Sequence, residues 1–370
     1  MQRSTALSKT ARALFLGVAL VSLMIACAGY AFLSEIRTPA GSSAVPNDIT
    51  VDQGDSTSAI ATKLRAAGLI RQPLLFTMLV RSQGLDGKLQ AGTFHLRPNM
   101  TMSQIISALQ VPARAEEVQV TLKEGLRLEE VAQVIGEAGI KNVEEQSFLD
   151  LAREGARFKD QHALLSSLPV TATLEGFLFP DTYRFNTTDT ITDVINKMLD
   201  NFDQQYGTFE KQITVADANG APMDVYSIVT IASIVQREAA RTDEMPKIAA
   251  VFWNRLKPEN LAETGNGKLQ SDPTLQYALG KPGAWWPKLD HLTPEELNNP
   301  HPYNTRLHPG LPPGPISVPG LDALRAAARP DTSAPYLYFV ASCSDPGAHN
   351  FATTNEEFQN FEQEYLNCKH

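Results

Sequence analysis

An internal repeat constrains the fold of this chain more than any other sequence feature. The stretch ITVDQGDSTSAIATKLRAAGLI, which begins at Ile49, is matched by VTLKEGLRLEEVAQVIGEAGI, which begins 71 positions later. The glycine predicted at the turn and the glycine predicted at the helix C-cap recur with the same offset, as Gly54 and Gly125 and as Gly68 and Gly139. A unit of strand, turn and amphipathic helix is therefore used twice.

The N-terminal segment has 22 uncharged residues between Arg12 and Glu35. That length spans a hydrocarbon core as one helix, and the charged residues before it are all basic, which predicts a cytoplasmic N-terminus and an extracytoplasmic remainder. A cleaved signal peptide, with a loose site at ACAGYA, and a lipid on Cys27 are alternatives. We expect an uncleaved single-pass anchor in the inner (cytoplasmic) membrane.

The first copy of the repeat continues through a second helix in LLFTMLVRSQG, and through a strand and another helix in LQAGTFHLRPNMTMSQIISAL. This order of strand, helix, helix and strand resembles the LysM glycan-binding module. The alternative is a small α+β platform that only separates the later part of the chain from the membrane, since fold alone does not fix function.

The 370 residues suit two or three domains, and we predict an α+β protein. Its predicted parts are a cytoplasmic tail (1–12), a transmembrane helix (13–34), a linker (35–47), a LysM-like domain (48–112), a second repeat with a connecting subdomain (113–190) and a mixed α+β catalytic domain (191–370).

Composition excludes several function classes. A net charge of −9 gives no indication of nucleic-acid binding, and the seven histidines form no H-E-x-x-H or Cys/His cluster, so we predict no metal and no cofactor. Cys343 and Cys368 lie in the predicted exported part, where a disulfide and two free thiols are both open. Cys343 with His349 lacks the local context of a cysteine hydrolase.

One carboxylate stands on an apolar helix face. In TIASIVQREAARTDEM, a helix is predicted from an N-cap at Asp224 to about Arg241, and Glu238 shares a face with Ile231 and Ile234. Burial and the negative end of the helix dipole both raise the pKa of a carboxyl group, which favours a general acid for glycosidic cleavage. The alternative is a surface ion pair with Arg241.

Several further motifs carry a family resemblance. LQSDP, PYNT and GLPPGPI, with ASIVQREA, VFWNRL, EGFLFPDTY and GAHNFATT, resemble the endolytic murein transglycosylases, the MltG or YceG-like proteins, from about Ile49 to the C-terminus. The resemblance implies a membrane-anchored lytic transglycosylase that cuts nascent peptidoglycan strands internally and leaves 1,6-anhydro-N-acetylmuramic acid (1,6-anhydro-MurNAc) ends. It implies partnership with the glycan strands, the inner membrane and peptidoglycan synthases.

The same resemblance assigns the site residues. It places the catalytic acid at Glu238, where Gln236 replaces the first acid of the usual motif. It implies that the substrate-binding residues are Gln270, Ser271, Asp272, Tyr303, Asn304, Thr305 and His349.

Alternatives remain open at this level. One is a hydrolytic muramidase that uses Asp272 or Glu175 as a second carboxylate, and another is a non-catalytic glycan-binding scaffold of the wall-synthesis complex. The proline-rich loop 309–319 is expected to form a rigid wall beside the sugar. Trp285 and Trp286 either stack on a sugar or pack in the protein.

Overall fold

The computed structural model describes residues 22–24, 27, 29–30, 34–111, 116–217, 219–288, 293–333 and 335–368. The predicted cytoplasmic tail and most of the predicted membrane-spanning segment lie outside these residues. Among the residues described, no helix is long and apolar enough to cross a membrane. The chain divides into two compact units, residues 1–116 and 117–370.

The first unit is built on a two-stranded antiparallel sheet in which Ile49 lies opposite Phe94. Burial alternates along both strands, so that one face of the sheet packs on the core and the other meets solvent. The core is completed by buried aliphatic and aromatic residues of three helices. The elements in chain order are β1 (Asn47–Val51), α1 (Thr57–Ala66), α2 (Pro73–Ser82), β2 (Gly92–Leu96) and α3 (Met102–Leu109).

The same order of elements recurs at the start of the second unit. Strand β3 pairs antiparallel with β4, two helices lie between them, and a long helix follows. The elements are β3 (Glu117–Thr121), α4 (Leu128–Gly136), α5 (Glu145–Ala152), β4 (Thr182–Asn186) and α6 (Ile191–Gly207). The internal repeat is therefore present in the structure, whereas its LysM-like character stays a prediction.

The glycines that defined the repeat have the backbone conformation that only glycine adopts readily. Gly54 and Gly125 have φ angles of 91° and 78°, and Gly68 and Gly139 have φ angles of 71° and 79°. A side chain at these positions would strain the left-handed backbone. The predicted turn and cap glycines are confirmed.

The remainder of the second unit is mainly helical. It comprises α7 (Val225–Glu238), α8 (Met245–Arg255), α9 (Asp272–Leu279), α10 (Pro294–Leu297), α11 (Leu321–Ala328), β5 (Tyr338–Ala341), β6 (His349–Ala352) and α12 (Asn355–Cys368). Strands β5 and β6 form an antiparallel hairpin, and a disulfide joins Cys343 to Cys368. The sequence left open whether these two cysteines are free thiols or form a disulfide, and the structure has the disulfide.

The second repeat and the helical part share one hydrophobic core. Phe177, Phe202 and Ile231 belong to it, and the rings of Phe177 and Phe202 lie 5.1 Å apart. These residues stand on both sides of the predicted boundary between residues 190 and 191. The structure therefore forms one unit where the sequence predicted two, because the second repeat has no separate core. The α+β class is confirmed.

Candidate active site

Helix α7 carries Glu238 at its last position. The Asp224 carboxylate caps the helix by accepting from the backbone N–H of Ser227 at 2.9 Å, as predicted. Ile231 and Ile234 are fully buried, and they anchor the apolar face that Glu238 shares. Glu238 itself is half-buried and lines a cleft of about 620 Å³. The apolar stripe therefore ends in a carboxyl group at the edge of an open cavity.

The surroundings of Glu238 favour its protonated form. Burial is the largest effect and raises the pKa of this carboxyl to about 7. The Ser271 hydroxyl, which donates to Glu238 Oε1 at 2.7 Å, opposes the shift, whereas the charge of Asp272 adds to it and that of Arg306 opposes it. At neutral pH a large share of the molecules therefore holds a proton on Glu238, ready for transfer.

The ion pair predicted as the alternative for Glu238 is wrong. The Arg241 guanidinium contacts Asp243 and Asp345, each at 2.9 Å. Asp243 is therefore engaged with Arg241. The cap position of α8 is Glu244, whose side chain makes no capping bond.

The loop before α9 brings Ser271 to Glu238. Gln270 in this loop has a φ of 57°, a left-handed conformation that is uncommon for a residue with a side chain. Thr305 holds the loop from the opposite side, because its carbonyl accepts from the Gln270 N–H and its hydroxyl accepts from the Ser271 N–H, both at 3.1 Å. Thr305 is only 1% exposed. It therefore supports the site from behind.

Arg255, at the end of α8, was not singled out from the sequence. It is buried, and its guanidinium donates to the Lys268 and Leu337 carbonyls, each at 2.8 Å, and to the Gln270 side-chain carbonyl at 2.5 Å. These bonds hold the strained loop against β5. The sequence signal was an arginine ending an apolar helix in VFWNRL, a position that demands buried partners.

Two side-chain pairs border the cleft. The Arg306 guanidinium pairs with the Asp272 carboxylate, and His349 Nδ1 lies 2.8 Å from a carboxylate oxygen of Glu244. His349 and Asp272 both line the cleft. The engaged carboxylate of Asp272 serves to set the charge around Glu238 and to position Arg306.

The sequence profile of the YceG-like family matches residues 49–364, most of the chain. The chain belongs to the YceG-like family. It is 31% identical to the endolytic murein transglycosylase of Bacillus subtilis over 331 residues, which cover 87% of this chain and 85% of that protein. It is 29% identical to the endolytic murein transglycosylase of Streptococcus pneumoniae, again over 87% of this chain but only 58% of the relative. The predicted family is confirmed.

A solved structure shares the fold of this YceG-like chain. The crystal structure of a YceG-like protein from Listeria monocytogenes superposes with a TM-score of 0.54 at 28% sequence identity. The match covers 86% of this chain and 99% of the Listeria protein.

Five of the eight predicted site residues of this YceG-like protein line the cleft, and three do not. Those in the cleft are Glu238, Gln270, Ser271, Asp272 and His349. Asn304 is fully buried and uses its side-chain amide to hold the Leu297 and Asn299 carbonyls. The Tyr303 ring packs on Tyr277 with centroids 4.8 Å apart. Asn304, like Thr305, is therefore a buried residue that stabilises the loops around the site.

Both tryptophans of the 280–288 segment have partners in the protein. The Arg237 guanidinium lies 3.8 Å from the centroid of the Trp286 ring, whose Nε1 donates to Glu130 at 3.0 Å. The Arg127 guanidinium lies 4.6 Å from the Trp285 ring. Neither indole lines the Glu238 cleft, so the packing interpretation agrees with the structure.

The proline-rich loop is positioned differently from the prediction. Ile316 donates its N–H to the Ser233 hydroxyl at 3.0 Å, and the Ser317 hydroxyl donates to the Ser233 carbonyl at 3.1 Å. Both residues are fully buried. The loop braces α7 rather than forming a wall of the cleft, because its apolar residues complete the core.

Proposed function

We propose that this chain is an endolytic lytic transglycosylase that cleaves the β-1,4 bond between MurNAc and N-acetylglucosamine (GlcNAc) in nascent glycan strands and leaves 1,6-anhydro-MurNAc ends. The observation that carries the proposal is the Glu238 carboxyl, which lines an open cleft with its pKa raised to about 7. Membership of a family with relatives named endolytic murein transglycosylases supports the same reaction.

In the first step, protonated Glu238 donates its proton to the glycosidic oxygen as the C1–O4 bond breaks. Positive charge develops on C1 and the ring oxygen of MurNAc, as in other glycoside cleavages. GlcNAc leaves with its O4 as a hydroxyl. The Ser271 hydroxyl then donates to the carboxylate that Glu238 has become, which stabilises the charge formed in this step.

In the second step, the Glu238 carboxylate accepts the proton of the MurNAc C6 hydroxyl while O6 bonds to C1. The anhydro ring closes, Glu238 regains its proton, and no water is consumed. One carboxyl group is sufficient because the nucleophile belongs to the substrate. Gln270 and Arg306 line the same cleft and are suited to orient hydroxyl and N-acetyl groups by hydrogen bonds.

The hydrolytic alternative lacks support from its candidate second carboxylates. Asp272 is paired with Arg306, and Glu175 is only 2% exposed and does not line the cleft. The two reactions differ in product. We expect mass spectrometry of material released from purified peptidoglycan by the full chain to find anhydro ends that Glu238→Gln does not produce. Reducing MurNAc ends would establish hydrolysis, and a Glu238→Gln variant that leaves strand length in cells unchanged would establish a scaffold.

Residues 13–34 are proposed to anchor the enzyme in the inner membrane with the catalytic part outside, which would bring the cleft to newly made strands and to peptidoglycan synthases. The proposal rests on the length of the apolar run and the basic residues before it. Resistance of the full chain to carbonate extraction, with protease access from the extracytoplasmic side only, tests the anchor. Recovery of a synthase after cross-linking in intact cells tests the partner.

A further inference from the structure

The last helix of the chain forms one side of the Glu238 cleft. Asn355, Phe358 and Glu362 of α12 line the cavity together with Glu238. Their spacing of three and four residues places them on one face of the helix. None of these three residues was predicted from the sequence as a site residue.

Helix α12 lies against the hairpin of β5 and β6. None of its described residues is buried. The Phe358 ring stacks on the Tyr338 ring of β5 with centroids 5.3 Å apart, and the Asn355 N–H donates to Glu263 at 3.3 Å. A helix of 14 residues has marginal stability by itself, so its position depends on such attachments.

The disulfide supplies an attachment at the opposite end of the helix. Cys368 is the last residue of α12, and Cys343 lies two residues beyond the end of β5. The start of α12 follows β6 in the chain. The disulfide links the C-terminal end of α12 to the segment that follows β5 in the same hairpin. The disulfide therefore adds a covalent attachment at the C-terminal end of α12, beside the contacts that the helix makes with β5 and β6.

We propose that α12, held by the Cys343–Cys368 disulfide, forms a glycan subsite of the cleft, an inference that rests on the proposed function. Phe358 offers an apolar surface to a sugar ring, while Asn355 and Glu362 present groups that hydrogen-bond hydroxyl and N-acetyl groups. Glu238 and Ser271 are positioned by α7 and α9. Loss of the disulfide therefore weakens glycan binding and leaves the chemical step intact.

Opening the disulfide has a simple chemical balance. A dithiol reductant supplies two electrons and two protons, the S–S bond becomes two thiols, and the reductant closes to its own cyclic disulfide. Cys368 is exposed, so the bond is accessible to a small dithiol such as dithiothreitol. No other covalent bond of the chain changes.

The test compares the oxidised full chain, the reduced full chain and Cys368→Ser. We expect faster hydrogen exchange in residues 355–368 after reduction, a KM for purified glycan strands about three- to tenfold higher, and kcat within about twofold. Glu362→Gln in the oxidised protein is expected to raise KM without raising exchange across the helix. Phe358→Ala removes both the apolar surface and the stack on Tyr338, so it is expected to raise both KM and exchange. Glu356→Gln, on the same helix but outside the cleft, is the matched control and is expected to leave KM unchanged.

Binding is measured separately by sedimentation with purified peptidoglycan in the inactive Glu238→Gln background, where reduction is expected to weaken it by the same factor. If hydrogen exchange in α12 does not respond to reduction, the claim that the disulfide holds the helix is overturned. If exchange becomes faster but KM and binding stay unchanged, the claim that α12 forms a glycan subsite is overturned. An oxidised protein that neither binds nor cleaves peptidoglycan overturns the proposed function itself. An oxidised protein that cleaves, with a reduced form that behaves identically, overturns only the subsite.

Discussion

Two glutamates of the second unit, Glu238 and Glu175, have similar electrostatics but different surroundings. Burial is the main cause of a raised pKa in both, to about 7 for Glu238 and to about 8 for Glu175. Glu238 lines the open cleft, whereas Glu175 is 2% exposed and accepts from the Leu128 N–H at 2.9 Å and the Tyr277 hydroxyl at 3.2 Å. A raised carboxyl pKa therefore does not by itself indicate a catalytic acid, because only Glu238 is placed where a substrate could reach it.

The two carboxyl groups are supported by the same helix. The loop at the start of α9 places Ser271 against Glu238, and Tyr277 in the last turn of α9 donates to Glu175. Glu175 also holds the start of α4 through the Leu128 N–H. We interpret Glu175 as a buried polar link between the second repeat and α9, and Glu238 as the reacting acid.

The largest expected effect separates the two acids by activity. Glu238→Gln removes the transferable proton and is expected to reduce the release of anhydro products by about 10²–10⁴-fold, the range for loss of a general acid. Glu175→Gln keeps the shape and the acceptor of its site, so its rate should stay within about threefold of wild type. Quantitative mass spectrometry of released muropeptides measures both. Equal losses of activity in the two variants would contradict the conclusion that access to the cleft distinguishes Glu238 from Glu175.

The next effect concerns the support of the Glu238 site. Arg255→Lys cannot make three bonds in one plane, so the loop at Gln270 should relax and kcat should fall by about 10²-fold, as for a misplacement near 1 Å. The matched control is Arg241→Lys, a surface arginine paired with Asp243 and Asp345, which should retain activity. Circular dichroism checks that both variants fold. A folded Arg255→Lys protein with wild-type kcat would remove Arg255 from the site.

Stability should report on Glu175. Its pKa is raised from about 4.5 to about 8 in the folded protein, so the unfolded state loses this proton at a lower pH than the folded state does. Between these two pH values, Glu175 therefore lowers the free energy of unfolding as pH rises, by up to about 1.4 kcal/mol per pH unit. Glu175→Gln removes the effect. In urea unfolding at pH 5, 6.5 and 8, the free energy of unfolding of Glu175→Gln should increase relative to that of wild type as pH rises. The control Glu145→Gln, at an exposed position, should show no such relative increase. A constant difference at all three pH values would contradict the assignment.

The smallest effect concerns the pH dependence of the reaction. Because Glu238 is proposed to act in its protonated form, kcat/KM should decline as pH rises through about 7. The Ser271 hydroxyl lowers this pKa, so Ser271→Ala should move the decline to higher pH while lowering the maximum rate. A series of stopped assays between pH 5 and 9 measures both. A shift to lower pH would mean that the hydroxyl does not stabilise the carboxylate.

Features set by neighbours in the chain were predictable from the sequence. The turn and cap glycines of the repeat, the Asp224 cap and the position of Glu238 on an apolar stripe all follow from local periodicity and backbone preference. The family was predictable as well, because its motifs are short contiguous stretches of sequence. Each of these features depends on residues within a few positions of one another.

The roles that depend on distant contacts were decided by the tertiary structure alone. Sequence spacing carries no information on which buried group meets Arg255, whether Cys343 reaches Cys368, or whether Asn304 faces a cavity or the interior. Such contacts follow from how all elements pack together, and packing is a property of the whole core. The sequence by itself therefore determined the family and the position of Glu238 on an apolar helix face, and the fold decided which side chains surround Glu238 and which stand behind it.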